Sequence, residues 1–132
     1  MNYRKLNLDE DYSVIADMFV RSSMGVAPQK DTLPYDGLVA EKDGFIQGAL
    51  FMYTISNAPI AILGFPILNP SYYGDRSGVM LNLIDRSEQI LKYMGYTYVY
   101  TWSGTDAFVK YLKDMRYVEG DKDVTHFIKL LN

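Results

Sequence analysis

Three observations predict an α/β fold, a mixed central sheet flanked by helices. Apolar stripes at helical spacing (Tyr12, Ile15, Phe19; Met80 to Met94; Phe108 to Met115) separate stretches with strand pattern. Ile60 to Leu68 is an almost continuous apolar run, the mark of a strand covered on both faces. The chain has 132 residues, 48% of them apolar or aromatic, which fits one domain spanning residues 1–132 with no repeat or linker inside it.

The elements follow in order. Met1 to Leu8 reads as a short strand leading into Asp9-Glu10-Asp11, acidic residues suited to a helix start. The helix carrying Tyr12, Val14, Ile15, Met18 and Phe19 should stop near Gly25. Met24 to Asp36, with Pro28 and Pro34, is irregular or holds a short helix around Gln29 to Leu33. Leu38 to Glu41 and Phe45 to Thr54 form a hairpin turned by Asp43-Gly44. Inside the apolar run, Gly64-Phe65-Pro66 points to a bulge, because a proline cannot donate to a ladder. A long amphipathic helix runs from Gly78 to about Met94 and ends at Gly95. Thr97 to Trp102 alternates as a strand, with Tyr98, Tyr100 and Trp102 on one side. Ser103 to Asp106 supplies capping groups for a helix through Met115. Tyr117 to Glu119 and Val124 to Leu131 close the chain as strands, giving the order β-α-β-β-β-α-β-α-β-β.

Composition narrows the chemistry. With no cysteine, a thiolate nucleophile, a disulfide scaffold and a Cys-based zinc site are excluded, and a single histidine, His126, excludes paired-His metal motifs. No metal site is expected. Thirteen basic against sixteen acidic residues leave no basic stripe, so no nucleic-acid partner is expected. No stretch approaches the ~20 apolar residues of a membrane span. Met1 to Lys5 is followed by no apolar run, so no secretory signal is expected and the expected location is cytoplasmic.

The order of elements resembles the GNAT (GCN5-related N-acetyltransferase) family over essentially the whole chain. Leu38-Val39-Ala40-Glu41-Lys42-Asp43-Gly44-Phe45-Ile46-Gln47-Gly48-Ala49 is similar to that family's second and third strands, and Leu112 to Glu119 to the segment closing its last helix. The resemblance implies transfer of an acetyl group from acetyl-CoA to a small-molecule or peptide amine. It implies that the backbone at Phe65 and Ile67 holds pantetheine, with Ile67 as N–H donor because Pro66 has none. It further implies that Arg76, Ser77, Gly78, Val79 and Met80 cradle pyrophosphate at a helix N-terminus.

The family signature Gln/Arg-x-x-Gly-x-Gly/Ala falls on Pro70 to Met80 in two registers, one using Tyr73, Arg76 and Gly78, the other Asp75, Gly78 and Met80. Neither satisfies it. Leu112 stands at the family's acidic Tyr, with Tyr111 one residue early, and Thr105 stands at its Asn. Tyr111 is the candidate acid for the leaving thiolate, against a plain packing role beside Phe108 and Met115. Glu41 is the candidate base, against a solvated strand-end charge. His126 and Trp102 read as packing residues, whereas at least one of the adjacent Tyr72 and Tyr73 should meet a ligand or partner. An exposed strand edge and the tyrosine loop could serve a homodimer.

The alternative function is a catalytically inactive GNAT-like structural or interaction protein. Trp102-Ser103-Gly104-Thr105 with Phe108 to Lys113 is similar to a segment of small GNAT-like internal virion proteins of short-tailed phages, which implies a phage origin.

Overall fold

A computed structural model describes residues 1–103 and 105–131. β1 (Asn2–Lys5) leads into α1 (Leu8–Arg21), and a single 3-10 turn (Lys30–Thr32) precedes β2 (Gly37–Lys42), β3 (Phe45–Thr54) and β4 (Ile60–Leu68). Then come α2 (Arg76–Tyr93), β5 (Tyr98–Tyr100) and α3 (Asp106–Asp114). The strands lie in the order β1-β2-β3-β4-β5, antiparallel except for the parallel β4–β5 pair. The mixed sheet with flanking helices is as the sequence predicts. Among the described residues, no helix is long and apolar enough to cross a membrane.

Each face of the sheet has its own core. α1 lays Ile15, Met18 and Phe19 on Val39, Ala49, Phe51 and Ile67. On the other face, Val79, Met80, Leu83, Ile84 and Leu91 of α2, with Phe108 and Leu112 of α3, cover Leu38, Leu50, Met52, Ala61 and Leu63. Alternate residues of β3 and β4 thus serve opposite cores, which explains the unbroken apolar run in β4.

Local signals place the element ends. Asp43 and Gly44 have φ of 52° and 82°, the paired left-handed conformation of a two-residue hairpin turn. Gly95, with φ 99°, terminates α2. The first strand is shorter than expected. It stops at Lys5, and Asn7 caps α1 by accepting from the Glu10 N–H at 3.3 Å, which leaves Asp9, Glu10 and Asp11 inside the first turn. α2 starts at Arg76 rather than Gly78, because Asp75 provides its cap.

The closing strands are not formed: residues 117–119 and 124–131 lie outside the five-stranded sheet, exposed along 118–131. His126 is therefore exposed rather than packed. Trp102 is also exposed, since it lies past the end of β5 with no strand beside it.

Candidate active site

β4 and β5 separate. Their pairing runs only from Ile60↔Tyr98 to Ile62↔Tyr100, followed by one hydrogen bond from Thr101 Oγ1 to the Leu63 carbonyl at 2.9 Å. Immediately beyond, β4 bulges. Phe51 faces Gly64 and Ala49 faces Ile67, so Leu50 stands opposite both Phe65 and Pro66. Phe65 takes a left-handed φ of 49°, unusual for a bulky residue, and is held by edge-to-face contacts with Phe19 and Phe51 at 6.4 and 6.5 Å. The bulge predicted from Gly64-Phe65-Pro66 is present where the strands part.

A cleft of ≈410 Å³ opens at this point, a size within the usual range for small-ligand sites. Pro66, Ile67 and Leu68 form one wall, Arg76 and Met80 of α2 a second, and Phe108 and Tyr111 of α3 a third. Arg21 and Ser22 at the end of α1 close the rim.

The backbone donor differs from the expectation. The Asn69 N–H bonds the Gln47 carbonyl at 2.8 Å in β3, and antiparallel alternation turns the Ile67 N–H toward β3 as well, opposite Ala49. Pro66 and Leu68 have the opposite parity, the one that faces the parting from β5. With no N–H on Pro66, the donor available to the cleft is Leu68. Counting parity through the bulge finds it in the sequence, once the bulge is fixed to a single residue.

At α2 the expected cradle is only partly present. Arg76 and Met80 line the cleft, Met80 from within the same core that buries Val79. The Gly78 N–H donates to Asp75 Oδ1 at 3.0 Å, and a Cβ on Gly78 would run into that carboxylate. The helix N-terminus is thus already capped by a negative side chain. Arg76 Nη1 donates to the Asn69 and Tyr72 carbonyls, both at 2.8 Å, which orders the loop before α2. Tyr72 packs against the core and Tyr73 is 93% exposed.

Tyr111 is half-buried on the cleft wall and packs against the core formed by α2 and α3. Glu41 is elsewhere. It is held by Arg4 Nε at 3.0 Å at the β1–β2 edge, beside the Arg4–Asp11 pair at 2.9 Å, so it does not belong with the cleft residues. Burial alone would raise the Asp11 pKa, but the Arg4 guanidinium and the Asn7 N–H outweigh it and hold the carboxylate below its usual range.

Arg21 was not indicated by the sequence. It reaches Ser71 Oγ at 3.1 Å and Asn69 Oδ1 at 3.2 Å, tying α1 to the loop before α2. Partners so far apart in sequence leave no local signal.

No protein-family model and no characterised protein matches the chain by sequence. Solved structures do match. An aminoglycoside acetyltransferase from an uncultured soil metagenome, in complex with sisomicin, superposes with a TM-score of 0.71 at 17% identity, over 99% of this chain and 96% of that one. The ribosomal-protein-S18-alanine N-acetyltransferase of Escherichia coli gives 0.74 at 13%, over 91% and 79%. The fold is that of the GNAT acetyltransferases. A Bacillus halodurans transcriptional regulator gives the same 0.74 at 12%, over 96% and 99%, so this likeness fixes the GNAT fold and not the activity. A phage origin draws no support from these neighbours.

Proposed function

We propose that the chain is an acyl-CoA-dependent N-acyltransferase, binding acetyl-CoA in the cleft between β4, α2 and α3. The observation that carries this reading is the β4 bulge at the point where β4 and β5 part, opening onto a cleft of ≈410 Å³. The apolar walls fit a pantetheine arm. The fit at the pyrophosphate is poorer, since Asp75 occupies the helix N-terminus, and Arg76 and Arg21 are the cations within reach.

The bound thioester supplies an activated acyl group. The Leu68 N–H polarises its carbonyl, a fixed dipole aimed where negative charge develops. Tyr111 returns a proton to the departing thiolate, while the amine gives its proton to water, since the described residues of the cleft wall include no carboxylate. The amine acceptor approaches across residues 24–36.

Two readouts test this. Acetyl-CoA at 100 times its dissociation constant should stabilise the fold by about 2.7 kcal/mol, a rise in melting temperature of roughly 8–11 °C for a domain of this size. Thiol release in the presence of amines can be followed with a thiol reagent against no protein background, because the chain has no cysteine. No thermal shift at millimolar acetyl-CoA rejects the proposal.

A second reading, a GNAT-fold interaction module without catalysis, is favoured by the Asp75 cap and by the capture of Arg76 on backbone carbonyls. It predicts neither thermal shift nor thiol release.

A further inference from the structure

The loop between β4 and α2, where a diphosphate would be cradled, is closed on itself. At the start of α2 the Arg76 N–H donates to the Gly74 carbonyl at 2.9 Å and the Gly78 N–H to Asp75 Oδ1 at 3.0 Å. The Ser71 and Tyr72 N–H groups turn back onto Asn69, at 3.0 and 2.9 Å. Tyr72 folds over Gly74, where a Cβ would run into its hydroxyl. The cations are committed as well: Arg21 to Asp17 at 2.8 Å and to Ser71 and Asn69, Arg76 to two backbone carbonyls. A diphosphate would have to displace these bonds beside the Asp75 carboxylate. The rest of the cleft is different, since Pro66, Ile67, Leu68, Met80 and Phe108 offer an apolar wall to the arm.

We propose that the cleft recognises its acyl donor through the pantetheine arm and a single phosphate. A 4′-phosphopantetheine thioester, the form in which the arm is borne on a protein serine, is then bound as tightly as acyl-CoA. The inference rests on the acyl-transfer reading of the cleft and concerns the donor. Of the two arginines, Arg76 meets carbonyls rather than a carboxylate, which leaves its charge for one phosphate. The second phosphate and the adenosine meet no further uncommitted cation among the described residues that line the cleft, and the helix end that would draw an anion is capped by Asp75. The transfer is the same with either donor: the amine nitrogen takes the acyl carbon and gives a proton to water, the C–S bond breaks, and the pantetheine thiolate leaves and is protonated.

Calorimetric titration of the full chain compares acetyl-CoA, S-acetyl-4′-phosphopantetheine and S-acetylpantetheine, with adenosine 3′,5′-bisphosphate as the nucleotide half alone. The two phosphate-bearing donors should bind within about threefold of each other, and the nucleotide at millimolar concentration should displace neither. Arg76→Gln should weaken both by the same factor, about threefold or more, and leave S-acetylpantetheine, which has no phosphate, unchanged as a control for the fold of the variant. A larger preference for acetyl-CoA, displacement by the nucleotide, or an equal loss with S-acetylpantetheine in Arg76→Gln overturns this inference and leaves acyl transfer standing. No binding by any of the three thioesters rejects acyl transfer, and this inference with it.

Discussion

Asp75→Asn isolates the charge that stands where a pyrophosphate should bind. The carboxylate accepts from the Gly78 N–H at 3.0 Å, so a phosphate drawn to the same helix end would sit within about 6 Å of it. Coulomb repulsion per phosphate charge at that distance is about 0.7 kcal/mol in a water-like medium and about 2.8 kcal/mol at an effective dielectric constant near 20. Asparagine caps helices about as well as aspartate, and the lost charge–dipole contribution is about 0.3–1 kcal/mol. The variant should therefore stay folded and bind acetyl-CoA about three- to a hundredfold more tightly, with a shallower gain on adding salt. Isothermal titration of both proteins at two ionic strengths measures this directly. Unchanged or weaker binding by a folded Asp75→Asn chain refutes the placement of pyrophosphate at α2.

Further predictions follow from other contacts. Tyr111→Phe should lower kcat by about 10²–10⁴ and leave acetyl-CoA affinity unchanged, measured by thiol release and titration; turnover within a few-fold of the parent would assign Tyr111 to packing alone. Arg4→Met should cost about 1–3 kcal/mol at pH 7 in urea unfolding, because it leaves the buried Asp11 carboxylate with the Asn7 N–H at 2.9 Å in place of its guanidinium partner. The Asp11 pKa is depressed in the fold, so the stability it contributes is present above its unfolded pKa of about 3.9 and is lost as pH falls through the folded value. That acid-side loss should be smaller in Arg4→Met. Glu88 behaves oppositely: burial raises its pKa, so stability present below about pH 4.3 is lost as pH rises through the folded value. Glu88→Gln should therefore gain stability at pH 7 and none at pH 4, with equal gain at both pH values counting against it.

Much of the fold was legible because its signals are local. Asp43-Gly44 fixed the hairpin, Gly95 the end of α2, and Gly64-Phe65-Pro66 the bulge, each through backbone conformations that few residues adopt. Helix starts were read less well. Asn7 and Asp75 cap through side-chain oxygens, and neighbouring acidic or glycine residues look equally suitable in sequence. The strand pattern of Val124 to Leu131 was clear, yet pairing depends on an edge being within reach, and alternation is silent on that. Arg76, Met80, Ile67 and Tyr111, named through the resemblance to the family, line the cleft. The loss of Ile67 as donor follows from ladder parity, and the isolation of Glu41 from an ion pair with Arg4, 37 residues away.

The placement of acyl-CoA between β4, α2 and α3 is tested most directly by amide chemical-shift mapping. Titrating labelled protein with acetyl-CoA should move the resonances of Leu68, Met80 and Tyr111 together, with one saturation curve, while those of Tyr98 and Tyr100 stay in place. No movement at millimolar ligand, or shifts confined to the neighbourhood of β5, would contradict the account.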